Sequence, residues 1–136
     1  MLFPPRSQQA LAPAPEAGEL VLDAERLDVY KVAVDFQLLA SSLAPRASYT
    51  LRNQLEGASV SIVLNISEGA GRRSPQDKGR FYSIARGSAT ECAAILDVLR
   101  RRRLAPEADC RVGRQRIIRI VQMLTKLEAS TIARGG

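Results

Sequence analysis

The chain has 136 residues, with 20 Lys and Arg against 14 Asp and Glu, a formal charge of +6, two cysteines and no histidine. That length suits one domain with a modest core; the missing histidine removes the usual general base and the commonest metal ligand, and two cysteines cannot close a four-ligand zinc site. No run approaches 18 consecutive apolar residues, which excludes a membrane span and leaves the positive surplus as the main hint, towards an acidic partner such as nucleic acid.

In chain order, residues 1–22 come first. Pro4, Pro5, Pro13 and Pro15 sit among Ala, Gln and Gly, a composition that neither sustains a helix nor fills a core. It predicts a disordered N-terminal arm ahead of a bundle domain over residues 23–136. Leu20, Val21 and Leu22 form a short apolar cluster that could instead pack on a neighbouring subunit. The start lacks a basic stretch followed by an apolar one, so no secretory signal is expected and the location is read as cytoplasmic, with both thiols free and buried.

Pro45, Pro75 and Pro106 divide the rest into four comparable segments. A first-turn proline loses no hydrogen bond it would otherwise make, so each is read as a helix start. Ser74-Pro75-Gln76-Asp77 reads as a capping box, and Gly69 and Gly71 can take the positive φ that ends a helix. Periodicity then assigns a buried stripe to each segment. These are Val29, Ala33, Phe36, Ala40 and Leu43; Leu51, Leu55, Ala58, Ile62 and Ile66; Phe81, Ile84, Ser88, Cys92, Ile95 and Leu99; and Gly113, Ile117, Ile120, Leu124 and Leu127.

Short connections force antiparallel neighbours, so the expected fold is all-α: an antiparallel up-down-up-down four-helix bundle with crossings near +20°. A hairpin of the last two helices about residue 104 sets Cys92 level with Ile117. At ~1.5 Å per residue its sulfur then lies about 10 Å along the axis from that of Cys110, too far for a disulfide. The first helix carries a second stripe, Leu27, Tyr30, Val34 and Leu38. It is either the flank of a wide buried face or a subunit contact.

Two strings stand out as polar positions within helices. Asn65 follows Ser61 by one turn, and Gly87, Ser88 and Glu91 cluster in the third helix. A glycine there costs roughly 1 kcal/mol of helix propensity, which predicts a close small-residue crossing at Gly87 opposite helix two. Glu91 is expected to be partly buried, with Asn65, Ser61 and Arg86 as donors. Glu68 and Glu91 as an acid–base pair is a weak catalytic reading beside a hydrogen-bonded polar layer. Gly69-Ala70-Gly71 fails as a phosphate loop, since no strand precedes it and no Gly-Lys-Ser/Thr follows.

Together, Leu-Asp-Val-Tyr-Lys at 27–31, Ser-Ile-x-x-Asn-Ile-x-Glu-Gly at 61–69 and Arg-Phe-Tyr-x-Ile-Ala-x-Gly-Ser-x-x-Glu at 80–91 carry a resemblance. The chain resembles the bacterial four-helix-bundle proteins encoded in intervening sequences of large-subunit ribosomal RNA genes. It is also similar to the accessory variability determinant proteins of diversity-generating retroelements. The resemblance spans roughly residues 23–130 and implies a ring-like homopentamer. For the retroelement branch it further implies a basic surface for nucleic acid and a reverse transcriptase as partner. Ser61, Asn65, Glu68, Gly69, Gly87, Ser88 and Glu91 fall in those strings, while Gly57 and Ser67 depart from a usual basic residue and a usual alanine.

The charge is unevenly placed. Residues 1–70 hold 5 basic and 8 acidic side chains, a balance of −3, and residues 71–136 hold 15 and 6, a balance of +9. Arg100, Arg101, Arg102 and Arg103 form a collar at the end of the third helix, where cations also favour the helix dipole. Arg111, Arg114, Arg116, Arg119 and Lys126 follow in the fourth, with Arg116, Arg119 and Lys126 near one face as a phosphate stripe. Aromatic residues are only 4%, so phosphate contact outweighs base stacking.

The residues and the resemblance together therefore suggest a non-catalytic, oligomeric accessory protein, with no cofactor or metal, that binds RNA or DNA through the collar and the fourth helix. The alternative is a homo-oligomeric scaffold for a protein partner, in which those arginines pair across subunits with Glu25, Asp28 and Asp35.

Overall fold

Four helices, α1 (Asp28–Leu43), α2 (Tyr49–Gly71), α3 (Pro75–Arg101) and α4 (Glu107–Gly135), account for most of the structure, with 3-10 turns at Asp23–Arg26 and Ala44–Arg46 on either side of α1. The computed structural model describes residues 11–135, and no strand occurs among them. Residues 1–10 of the expected arm lie outside the described residues. Residues 11–20 are exposed. They contain a tight turn in which the Glu19 N–H donates to the Glu16 carbonyl at 3.2 Å. Gly18 has φ +94° there, a left-handed geometry suited to glycine.

Side-chain contacts show the helices alternating in direction. Ser61 meets Ser88 and, two turns on, Gly69 meets the Tyr82 ring, so α2 and α3 are antiparallel. Leu96 meets Gly113 while Arg86 reaches Thr125, which makes α3 and α4 antiparallel as well. That register sets Cys92 level with Ile117, as expected from a hairpin near residue 104. Ser41 donates to Glu56 at 3.0 Å across α1 and α2, and α1 closes the bundle against α4 through Phe36 and Leu39 beside Gly113.

The core follows the apolar periodicity in three helices. All five residues of the first α1 stripe are buried, as are Leu55, Ala58, Ile62 and Ile66 in α2 and Gly113, Ile117, Ile120 and Leu124 in α4. Burying each large side chain such as Phe36, Ile62 or Leu124 contributes about 1.5–3 kcal/mol. In α3 the expected stripe is rotated over its first half. Tyr82, Ala85 and Ala89 are buried there, whereas Ile84 is 46% exposed and Phe81 is half-buried. Ala85 and Ala89 are fully buried in the common core, where their small side chains take little room. Phe81 instead sits between two cations, with the Arg72 and Arg80 guanidinium carbons each 4.9 Å from its ring centre.

Helix ends match the expectation in part. Pro45 lies inside the 3-10 turn, and α2 starts later, where the Ser48 hydroxyl accepts from the Leu51 N–H at 3.3 Å. Ser74 does cap α3, accepting from Asp77 N–H at 3.1 Å, while the Asp77 carboxylate sits 3.8 Å from Arg80. No positive φ ends α2: only Gly18 and Arg103 have one among the described residues. The Lys78 ammonium ends it instead, reaching back from α3 to the carbonyls of Gly69 at 3.3 Å and Ala70 at 2.8 Å. A cation there satisfies two orphan acceptors and favours the helix dipole. Arg103, at φ 56°, completes a Schellman turn after α3. Leu104 N–H donates to Leu99 O at 2.8 Å and Arg103 N–H to Arg100 O at 3.1 Å.

Candidate nucleic-acid interface

The collar and the start of α4 meet at one end of the bundle. Arg100 and Arg101 from α3 and Arg111 and Arg114 from α4 line an open groove of about 770 Å³, together with Asp97 and Glu107. Asp97 accepts from Arg100 and from Arg101, each at 3.2 Å. Those two hydrogen bonds hold its carboxyl below the ordinary carboxylate range. Glu107 lies 3.9 Å from both Arg100 and Arg111, close enough for attraction but not for a hydrogen bond. With four guanidinium groups against two carboxylates, the groove stays positive at neutral pH.

The remaining basic positions are divided. Arg102 and Arg103 belong to the turn after α3. Arg114 and Arg116 are two residues apart, about 200° around the helix, so Arg116 cannot share the groove face. Lys126 lies on the α1 side, lining a smaller apolar groove with Leu27, Val29, Met123 and Leu127; Arg119 follows it by helical spacing. Among the described residues, Arg102, Arg103, Arg114, Arg116, Arg119 and Lys126 have no ion-pair partner. Within the chain, Arg72–Glu68 at 2.6 Å is the one pair among them that joins a second-half arginine to a first-half acid.

The polar motif residues are partly brought together. Asn65 donates to the Ser61 carbonyl at 2.9 Å and to its hydroxyl at 3.0 Å. The Ser61 and Ser88 hydroxyls share a bond of 2.8 Å across α2 and α3. This three-residue chain links the two helices and sets their register. Glu91 does not join it. It is exposed, and its expected partner Arg86 pairs instead with Glu128 at 3.3 Å and Thr125 at 3.5 Å on α4. Glu68 is likewise exposed and paired with Arg72.

Gly87 is not the close crossing either: a Cβ there would meet nothing within 4 Å. The close crossing is at Gly69, where a Cβ would stand 2.7 Å from a Tyr82 ring carbon. Cys92 and Cys110 are free and buried. Burial, with Glu91 adding to it, pushes the Cys92 thiol up to about 12, and burial raises Cys110 as well, so both stay protonated. No group of three or more potential metal-ligating side chains occurs among the described residues. No helix among them is long and apolar enough to cross a membrane.

A family model for the 23S rRNA-intervening sequence protein matches residues 25–126. The chain belongs to the 23S rRNA-intervening sequence protein family. The match begins in the 3-10 turn before α1 and ends at Lys126, so it includes the polar chain, the groove and every basic position of the collar and α4 named above. No curated protein matches the chain.

Two residues that shape this family member carry no obvious signal in the sequence. Lys78 reads as one more surface cation, although its position eight and nine residues after Ala70 and Gly69 suits a reach back across a tight turn. Arg103 reads as the last of four equal arginines, yet the turn gives it a backbone conformation that its neighbours lack.

Proposed function

We infer that this family member is a self-associating, non-catalytic accessory protein that binds nucleic acid through phosphate contacts from the collar and α4. The observation that carries this reading is that six cations of the collar and of α4 up to Lys126, namely Arg102, Arg103, Arg114, Arg116, Arg119 and Lys126, have no ion-pair partner among the described residues. Guanidinium and ammonium groups facing water at no cost in broken pairs suit a phosphate backbone, and such contacts carry no sequence information. The test is anisotropy titration with labelled RNA and duplex DNA over 50–200 mM salt. Each of these cations that a duplex engages adds about −0.9 to the log–log slope, and Arg→Gln at an engaged position lowers its size by about 1. No binding at low salt would overturn the reading.

Self-association is supported by the outer faces of α1 and α2. Residues 57–67 contain no charge, and Leu64 is 61%, Val60 37% and Leu38 37% exposed. The Ser41–Glu56 bond fixes a register in which Leu38 and Val60 are nearly level, so this patch of exposed apolar side chains is spread over two neighbouring helices. A helix apolar on its solvent side is normally covered. A homopentamer, as the resemblance implies, is the assembly assigned. The same patch also favours the second reading, a scaffold for a protein partner such as a reverse transcriptase. Light scattering giving a monomer mass at micromolar concentration would remove the assembly. A complex with a protein partner that survives nuclease, without RNA or DNA binding, would favour the scaffold.

A further inference from the structure

The groove between the last turns of α3 and the first turns of α4 is more than a charged surface. Its rim is arginine, but its floor is Ala93, Leu96 and Cys110, with Thr90 and Ala94 alongside. Uncharged side chains, most of them small, line the depression. Its volume of about 770 Å³ falls in the ~300–1,000 Å³ range of sites that hold organic ligands rather than a bare ion.

The rim keeps donors in reserve. Arg100 and Arg101 spend one N–H each on Asp97. The contacts of Arg100 and Arg111 to Glu107 are 3.9 Å, longer than a hydrogen bond, and Arg114 has no acid partner. Each guanidinium offers five N–H groups in a planar fork, so most remain available to phosphate oxygens. Asp97 meanwhile anchors two of the four forks.

We propose that this groove seats one unpaired nucleotide of a bound strand, with its phosphate on Arg100, Arg111 and Arg114 and its sugar and base over Ala93 and Leu96. The inference rests on the nucleic-acid reading above and adds a selectivity to it. A duplex keeps its bases inside and can touch the rim, but an unpaired nucleotide can also fill the floor. Single strands and strand ends are therefore preferred over duplex.

The test uses the full chain and labelled 20-nucleotide single-stranded RNA, its duplex, and adenosine monophosphate or inorganic phosphate as competitors at constant ionic strength. Thr90→Trp and Ala94→Trp, both at exposed positions, fill the groove without changing charge; circular dichroism checks that each stays helical. The expected result is at least a tenfold loss of single-strand affinity with duplex affinity unchanged, and competition by adenosine monophosphate well below the phosphate concentration needed. Arg116→Gln weakens both probes equally. Unchanged single-strand affinity in both tryptophan variants would overturn the groove while leaving nucleic-acid binding intact. If neither RNA nor duplex binds the wild type at low salt, the underlying reading fails first. If titration calorimetry shows adenosine monophosphate binding while no strand binds, the groove is a free-nucleotide site and the strand proposal is overturned.

Discussion

Two neighbouring arginines of the collar should respond oppositely to the same substitution. Arg102 has φ −83°, inside the right-handed region, whereas Arg103 has φ 56°. A side chain in the left-handed conformation costs roughly 1–2 kcal/mol, because its Cβ crowds the following carbonyl. Glycine at 103 removes that cost. Both Arg102→Gly and Arg103→Gly add the entropy of a glycine to the unfolded chain, about 0.4–1 kcal/mol. Both also delete one exposed cation beside the α3 C-terminus, so those effects cancel in the comparison. Arg103→Gly is expected to be more stable than Arg102→Gly by about 1–2 kcal/mol, and equal to or slightly more stable than wild type. Urea unfolding at one fixed protein concentration measures this, since self-association shifts the apparent midpoint. Equal slopes with a higher midpoint for Arg103→Gly are the expected outcome. Equal midpoints for the two variants would refute the Schellman geometry at Arg103.

The glycines give a second opposed pair. Gly87→Ala should stabilise by about 0.5–1 kcal/mol, because the position is helical, exposed and open. Gly69→Ala should destabilise by about 1–3 kcal/mol through its clash with Tyr82, read by the same unfolding assay. Lys78→Met removes the charged donor of two α2 carbonyls. A loss of about 1.5–3 kcal/mol is expected, with faster amide exchange at the α2–α3 turn. For Cys92 the folded thiol titrates near 12, above its ordinary value of 9.0, so the folded state holds the proton more tightly than the unfolded one. Its contribution is then constant below about pH 9 and falls by up to about 1.4 kcal/mol per pH unit above it. The stability advantage of wild type over Cys92→Ala should shrink between pH 8.5 and 10.5, and a constant difference would contradict the burial.

Much of this bundle is readable from spacing, because a period of 3.6 residues and a short loop leave few arrangements. The stripe from Val29 to Leu43 is buried as spaced, and the Ser74 cap falls where its hydroxyl and Pro75 predict. The α3 stripe fails where two rows compete. Phe81 and Ile84 are large apolar side chains, but α2 comes close at Gly69, where the Tyr82 ring packs, and the row of Tyr82, Ala85 and Ala89 is the one that is buried. Pro45 misleads for a related reason: proline tolerates a 3-10 turn as well as a helix start, and Ser48 offers the better cap.

The basic residues show the same division. Composition and position locate the +9 in the second half of the chain and put four arginines at one helix end. Periodicity alone already separates Arg114 from Arg116. Which arginines are spent on acids is a matter of distances across helices, and these depend on how α3 and α4 dock at Leu96 and Gly113. The neighbours of Glu91 and Gly87 in sequence point to inward roles, yet the helix faces both outward. Local pattern therefore determines the helices, their order and the sign of the charge, since these depend on residues a few positions apart. The close contact at Gly69, the cap from Lys78, the strained Arg103 and the arginine-rimmed groove were decided only when distant segments packed together, because each is a property of two surfaces rather than one.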